Sequence, residues 1–320
     1  MIGLARSQDN LTKYEKTINR KGCDTMSDFD FRSALEEMIE SEKGQYLFDV
    51  SLVGFSEEIL LKNKEKIPLL YRYSPADYNN IRNLEKETVF LSATGSMNDV
   101  FEGLSGAVEE DVLQNIDKLY DLAFIKSFSE RKDSLLMWST YADNYAGMCV
   151  EYDMKQLEDD SILYHLFPVR YSNERLIRNN LTITYEELIK IKYAITNGDD
   201  YDFDFNKDVM GLFLSKSEEW KYEKEWRLLY SYLQLNIPYS EIETEFDSPN
   251  ERLLYYKKWD ETGKRTIKMP CITHIYLGPK MQSNIKNHIR EIGEKLKVPV
   301  TELVLNKKEY KLNPKCDSDA

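Results

Sequence analysis

The sequence predicts a single α+β domain with a helical leader, and three observations carry that prediction. Short runs with period-two alternation and helical stripes with period near 3.6 are interspersed without strict strand–helix alternation. No Pro-, Gly- or Ser-rich linker marks an internal boundary. No internal repeat is present either, which sets aside solenoids and propellers. On this basis residues 1–66 form an N-terminal arm and helical leader, residues 67–313 one α+β domain with a helical insertion, and residues 314–320 a tail.

Each element follows from local chemistry. The first 25 residues are polar and aperiodic. In "FDFRSALEEMIESEKG", Phe31, Leu35, Met38 and Ile39 make one apolar helical face, with Gly44 as a stop. A short helix starts near Ser56, and Pro68 ends the leader. "LLYRYS" reads as a strand. "SPADYNNIRNLEKE" reads as a helix with Ser74 as N-cap and Pro75 in first position. "TVFLSA" is a strand, "EEDVLQNIDKLYDL" a helix and "AFIKSFS" a strand whose alternation puts Phe124, Lys126 and Phe128 on one face and Ile125, Ser127 and Ser129 on the other. "LLMWSTYAD" is a short helix, "GMCVEYD" and "FPVRYS" are strands, and Asn173 to Glu219 is mainly helical. Strands return in "KEWRLLYSYL", "RTIKM" and "CITHIYLG". The helix "SNIKNHIREIGEKL" and a last strand, "VTELVLNKKEYKL", close the domain.

Composition excludes several classes. A chain of 320 residues with 42% hydrophobic residues can bury a large core, whereas a net charge of -13 argues against general polyanion binding. The four cysteines, Cys23, Cys149, Cys271 and Cys316, form no CxxC pair, so they read as reduced thiols of a cytoplasmic protein. No apolar run is long enough for a membrane span, and the start of the chain lacks a signal-peptide pattern. His165, His274 and His288 stand alone, so no metal site is expected. GxGxxG, GxxxxGK[ST] and GxSxG are all absent.

Five segments, "LYRYS", "LSATGSMNDVFEG", "SFSERKDSLLMWSTYADNYAGMCVEYD", "EWKYEKEWRLLY" and "IYLGPK", resemble in order a bacterial domain-of-unknown-function family, number twenty-nine seventy-one, over about residues 69 to 280. A second resemblance bears on chemistry. Arginine on an early strand, Ser-x-Ser on a middle strand and Glu-x-Glu before a later one is similar to the R-S-E pattern of ADP-ribosyltransferases. It implies an ADP-ribosyltransferase-like mixed sheet core, and NAD consumed as a substrate. The ADP-ribose would go to a macromolecular acceptor, protein or nucleic acid, or to water, as in a toxin or phage-defence effector.

In that pattern Glu225 stabilises the oxocarbenium-like sugar formed as the nicotinamide bond breaks, and Glu223, two residues earlier on the same side of an extended segment, orients or deprotonates the acceptor. Arg72 offers paired donors to the pyrophosphate. Ser127 and Ser129 hold the central strand against the ribose or carboxamide, and Tyr73 stacks on nicotinamide. Asn98 and Asp99 suit a tight turn beside the cofactor, from which Asp99 or Glu102 reaches a ribose hydroxyl or the base.

Structural alternatives stand beside each role. Arg72 alone would more often pair with a surface carboxylate, and Ser127 and Ser129 could be edge-strand hydroxyls. Glu225 and Arg227 share a strand face, so a structural ion pair competes with catalysis. The stripe of Trp138, Tyr141 and Tyr145 reads as core. At the level of function, a noncatalytic nucleotide- or protein-binding module is one alternative. A metal-dependent nuclease drawing on Asp99, Glu102 and Glu225 is another.

Overall fold

The computed structural model describes residues 29–35, 55–93, 97–99, 123–173, 213–231 and 265–315. The chain divides into two compact units, Met1–Asp30 and Phe31–Ala320. Only residues 29 and 30 of the first are described, and the account below concerns the second. Most of the predicted helices after Asn173, the helix after Val108 and the Met38, Ile39 and Gly44 positions lie outside the described residues.

The core is a mixed sheet of nine strands among the described residues, ordered β13-β12-β11-β5-β1-β4-β9-β6 with β3 also on β4. The strands are β1 (Leu70–Ser74), β2 (Thr88–Phe90), β3 (Ser92–Ala93), β4 (Ala123–Ser129), β5 (Met148–Tyr152), β6 (Leu166–Pro168), β7 (Arg170–Tyr171), β8 (Ser215–Lys216), β9 (Glu225–Ser231), β10 (Thr266–Lys268), β11 (Ile272–Leu277), β12 (Val300–Leu305) and β13 (Leu312–Pro314). The helices that accompany them are α1 (Tyr78–Glu85), α2 (Leu135–Tyr141) and α3 (Ser283–Leu296). Among the described strands of the large sheet, β11 and β12 are the pair that runs parallel. Helix α3 is their crossover and sinks Ile289, Ile292 and Gly293 against the sheet. The fold is α+β with a mixed sheet, as the element pattern predicts.

Register explains where the site lies. β4 pairs β9 along its whole length, Ala123↔Ser231 to Ser129↔Glu225, and β1 pairs β5 over five positions. β1 meets β4 at one pair, Tyr71↔Ser129. Beyond that pair β4 is joined by β3 at Ile125 and Phe124, so the two central strands part and leave a wedge between them.

Several boundaries differ from those predicted. Ser74 ends β1 instead of capping α1. Asp77 caps that helix, its carboxylate accepting from the Asn80 amide at 2.8 Å, since Pro75 sits too early to be its first residue. "TVFLSA" splits into β2 and β3, which pair with different partners, β10 and β4. "VTELVLNKKEYKL" folds back as the β12–β13 hairpin. "SKSEEW", helical by its pattern, holds β8 and the start of a 3-10 turn, Glu218–Glu223.

That last difference matters for the site. Glu223 is not on an extended segment. It closes the 3-10 turn, Lys224 adopts a left-handed conformation with φ 45°, and β9 begins at Glu225. The left-handed residue reverses the chain locally, so the two acids converge through a turn rather than through strand alternation.

Candidate active site

The wedge between β1 and β4 is a cavity of about 210 Å³. Its wall includes Arg72, Tyr73, Asn98, Ser127, Ser129, Glu223 and Glu225, so seven side chains expected from sequence come together. Consecutive residues Ile125 to Ser129 all touch it, as expected where a strand edge faces a gap and both faces of its pleat are open. Register places Ser127, Ser129, Glu225 and Arg227 on one face, and Arg72 and Lys126 on the other. Asp99, buried, is not in the wall, and Glu102 lies outside the described residues.

The carboxylates are held by cations, one of which no motif in the sequence singles out. Lys216, brought in by β8, donates to Glu223 Oε2 at 2.7 Å and to Glu225 Oε2 at 3.0 Å. Arg227, fully buried, donates from Nε to Glu225 Oε1 at 2.7 Å and from a terminal nitrogen to Oε2 at 3.1 Å. It also donates to the Phe213 carbonyl. Ser127 lies near enough to Glu225 to help hold the pKa of its carboxyl down. Glu225 and Glu223 are each only 3% exposed.

Their protonation is driven apart. Burial works to raise the Glu225 pKa, but Arg227 and Lys216 outweigh it and hold the carboxyl down at about 2. For Glu223 burial prevails over Lys216 and, with the Glu225 charge beside it, raises the pKa above the usual carboxylate value. Neighbouring carboxyls with opposite shifts are the pattern by which sites separate a fixed anion from a proton-transferring group.

The other expected residues divide by what they touch. Arg72 donates to the Asn80 amide oxygen at 2.9 Å, and that amide is in turn held by Asp77. Among the described residues no carboxylate pairs with Arg72 directly, so the surface ion-pair alternative is not what these residues form. Ser129 is a structural staple: its hydroxyl donates to the Glu223 carbonyl at 2.5 Å and accepts from the Arg131 amide at 3.0 Å. Tyr73 is committed at both ends, its hydroxyl to the Arg131 carbonyl at 2.7 Å and its ring edge-to-face with Trp138 at 5.3 Å. It walls the cavity rather than offering a free stacking platform.

Tyr141, core-like by its spacing, stands at the acids. Helix α2 starts at its Ser134 cap, whose hydroxyl accepts from Met137 N, and it buries Met137 and Trp138. Tyr141, one turn on, carries its hydroxyl to Glu223 Oε1 at 2.6 Å. The helical spacing is visible in the sequence, but which tyrosine of the stripe reaches an acid is not. Tyr145 instead bonds back to the Leu135 carbonyl.

The histidines take no part: His165 stacks on Tyr230, His274 on Tyr276, and His288 stands beside Glu291 on α3. Cys149 and Cys271 are free and buried, with burial pushing the Cys271 thiol up to about 12. Among the described residues no three His, Cys, Asp or Glu side chains gather as a metal site. Among them too, no helix is long and apolar enough to cross a membrane.

The matched region of the chain runs from within α2 to within β9, so it contains Tyr141, Lys216, Glu223, Glu225 and Arg227, while Arg72 and Ser127 precede it. No curated protein and no solved structure matches the chain. Residues 137–228 match the family whose model is described as Protein of unknown function (DUF2971), and over that region the chain is similar to it.

Proposed function

We propose that the cavity binds NAD and cleaves its nicotinamide–ribose bond, in the manner of an ADP-ribosyltransferase. One observation carries the reading: three separated segments deliver Arg72, Ser127 and the Glu223–Glu225 pair to a single cavity. Its polarity suits the substrate. NAD presents an anionic pyrophosphate and, as the bond breaks, a cationic sugar, while the wall presents Arg72 from one face of the sheet, Glu225 from the other and Glu223 from the turn before β9. At about 210 Å³ the cavity takes on the order of seven waters, room for the reacting ribose end with the remainder extending outward.

In this reading the C1′–N bond breaks with its electron pair leaving on nicotinamide. Glu225, ionised throughout the neutral range, provides the fixed negative field for the sugar cation. Among the described residues Glu223 accepts side-chain bonds from Tyr141 and Lys216, one to each oxygen, so it keeps acceptor capacity for a further hydroxyl. It takes the proton of the attacking acceptor or water. Arg72 holds pyrophosphate and Ser127 orients Glu225. An ADP-ribosyltransferase-like core, a macromolecular acceptor and a toxin or phage-defence role in a bacterial cytoplasm belong to this proposal.

The test is to incubate the purified chain with NAD and quantify free nicotinamide. Glu225→Gln should lower release at least ~100-fold with the fold intact, because the substitution removes charge and keeps shape. Unchanged release in that variant removes Glu225 from the chemistry. A second reading has its own support: three donors from two cations already occupy Glu225, as in a structural ion-pair network. A binding module built this way would bind NAD without releasing nicotinamide.

A further inference from the structure

The geometry points to Lys126 as the second cation of a phosphate-binding pair with Arg72, so that the cavity is built for a ligand carrying a pyrophosphate. This deepens the NAD reading and rests on it for the identity of the ligand, though not for its anionic class.

Lys126 sits in the middle of β4 and lines the cavity beside Arg72. Its neighbours along the same face are Phe124 and Phe128, and Leu228 lies directly across on β9; all three are buried. Among the described residues Lys126 makes no hydrogen bond and no ion pair, and the nearby charge that acts on it is the like charge of Arg72. Burial together with that charge drives its ammonium pKa well down, and burial lowers Arg72 as well.

Among the described residues three other enclosed cations are neutralised by carboxylates. Lys216 has Glu223 and Glu225, Arg227 has Glu225, and Lys286 has Glu302 at 2.6 Å. Two adjacent cations in a cleft, with no carboxylate among the described residues in direct contact with either, are unfavourable unless something supplies the counter-charge. In a chain with net charge -13, the described residues place no carboxylate in contact with either cation, Asp77 reaching Arg72 only through Asn80, and this locates the deficit in the cleft. A guanidinium with planar paired donors beside a compact ammonium matches two linked phosphates better than one carboxylate.

The experiment titrates inorganic pyrophosphate into the full chain by calorimetry, with ADP-ribose in parallel. Wild type should bind pyrophosphate, Lys126→Met should weaken it at least ~10-fold, Lys126→Arg should restore most of the loss, and the exposed Lys295→Met should match wild type. In the unmodified protein, pyrophosphate should protect Lys126 from amine acetylation at neutral pH, read by peptide mass spectrometry. That readout does not depend on the variant folding. Equal affinity in Lys126→Met, or equal labelling with and without pyrophosphate, overturns the proposal.

The two readings fail separately. Pyrophosphate binding that needs Lys126, with no nicotinamide released from NAD, keeps the subsite and removes the enzyme. Nicotinamide release with an unchanged KM in Lys126→Met keeps the enzyme and removes the subsite. ADP-ribose binding at least ~10-fold tighter than pyrophosphate identifies a dinucleotide as the source of the phosphates, and equal affinity identifies free pyrophosphate.

Discussion

Glu223 and Glu225 are two positions apart, carry the same functional group and yet shift in opposite directions, because Lys216 is shared and Arg227 is not. Arg227 therefore sets the separation, and Lys216 supplies the charge that holds both acids in place. Replacing it with methionine leaves two buried carboxylates with one cation, so Lys216→Met should cost about 3–5 kcal/mol in urea unfolding, with Lys216→Arg recovering part of it. A loss below about 1 kcal/mol would show that the carboxylates escape to water when the lysine is removed. The acids are legible as "EKE", and Arg227 as a same-face neighbour. Lys216 is not, since nothing in a stretch of helical appearance says that β8 will turn it inward toward an acid further along the chain. Lys126 is assigned by alternation to the correct face of β4, but only the parting of β1 from β4 turns that face toward a cavity.

At the scale of elements, α2 and the turn after it explain why "MWSTYADNYAG" has its composition. The turn carries Asp143, Asn144 and Tyr145 with φ of 47°, 49° and 72°, a run of left-handed residues that folds the chain back before β5. Gly147 then passes so close to the end of β1 that a Cβ would lie 2.3 Å from the Ser74 carbonyl oxygen and 2.8 Å from that of Ala142. Both obstacles are backbone and cannot rotate away. Gly147→Ala should destabilise by about 1–3 kcal/mol and, because Ser74 closes the strand that carries Arg72, should also raise KM for the ligand. Denaturation and kinetics on one sample check both. The leader has an element-scale role of the same kind. Arg32 donates to the Glu225 carbonyl at 2.8 Å and to Glu130, which also accepts from the Trp226 indole at 2.7 Å. Helical residues 31–35 thus pin the start of β9, and Arg32→Ala should loosen it, lowering stability by about 1–2 kcal/mol in the same denaturation measurement. The helix face is legible from Phe31 and Leu35. Local pattern carries no sign that the arginine between them reaches a strand 193 residues on.

For the whole molecule, acid brings opposed effects. The net charge of -13 shrinks toward zero near pH 5.0, which relieves self-repulsion and favours the compact state. His165 works the other way. Its ring is stacked on Tyr230 of β9 with centroids 3.9 Å apart, and burial, only partly offset by its bond with the Leu229 backbone, lowers its pKa to about 4. An unfolded histidine titrates near ~6.5, so between those values the unfolded chain holds the extra proton. Stability from neutral His165 is therefore complete above about pH 6.5 and is lost as pH falls toward 4, on the order of 3 kcal/mol. Glu225 adds a second loss lower down, as pH falls through the carboxylate range toward 2, while Glu223, shifted upward, gains on protonation and blunts that loss. Unfolding free energies at about pH 7 and about pH 4.5 for wild type and His165→Phe separate these contributions. The phenylalanine keeps the stacking surface and cannot take a proton, so its stability should drop between the two pH values by about 2–3 kcal/mol less than wild type. Equal drops would assign the acid sensitivity to the carboxylate network instead of His165.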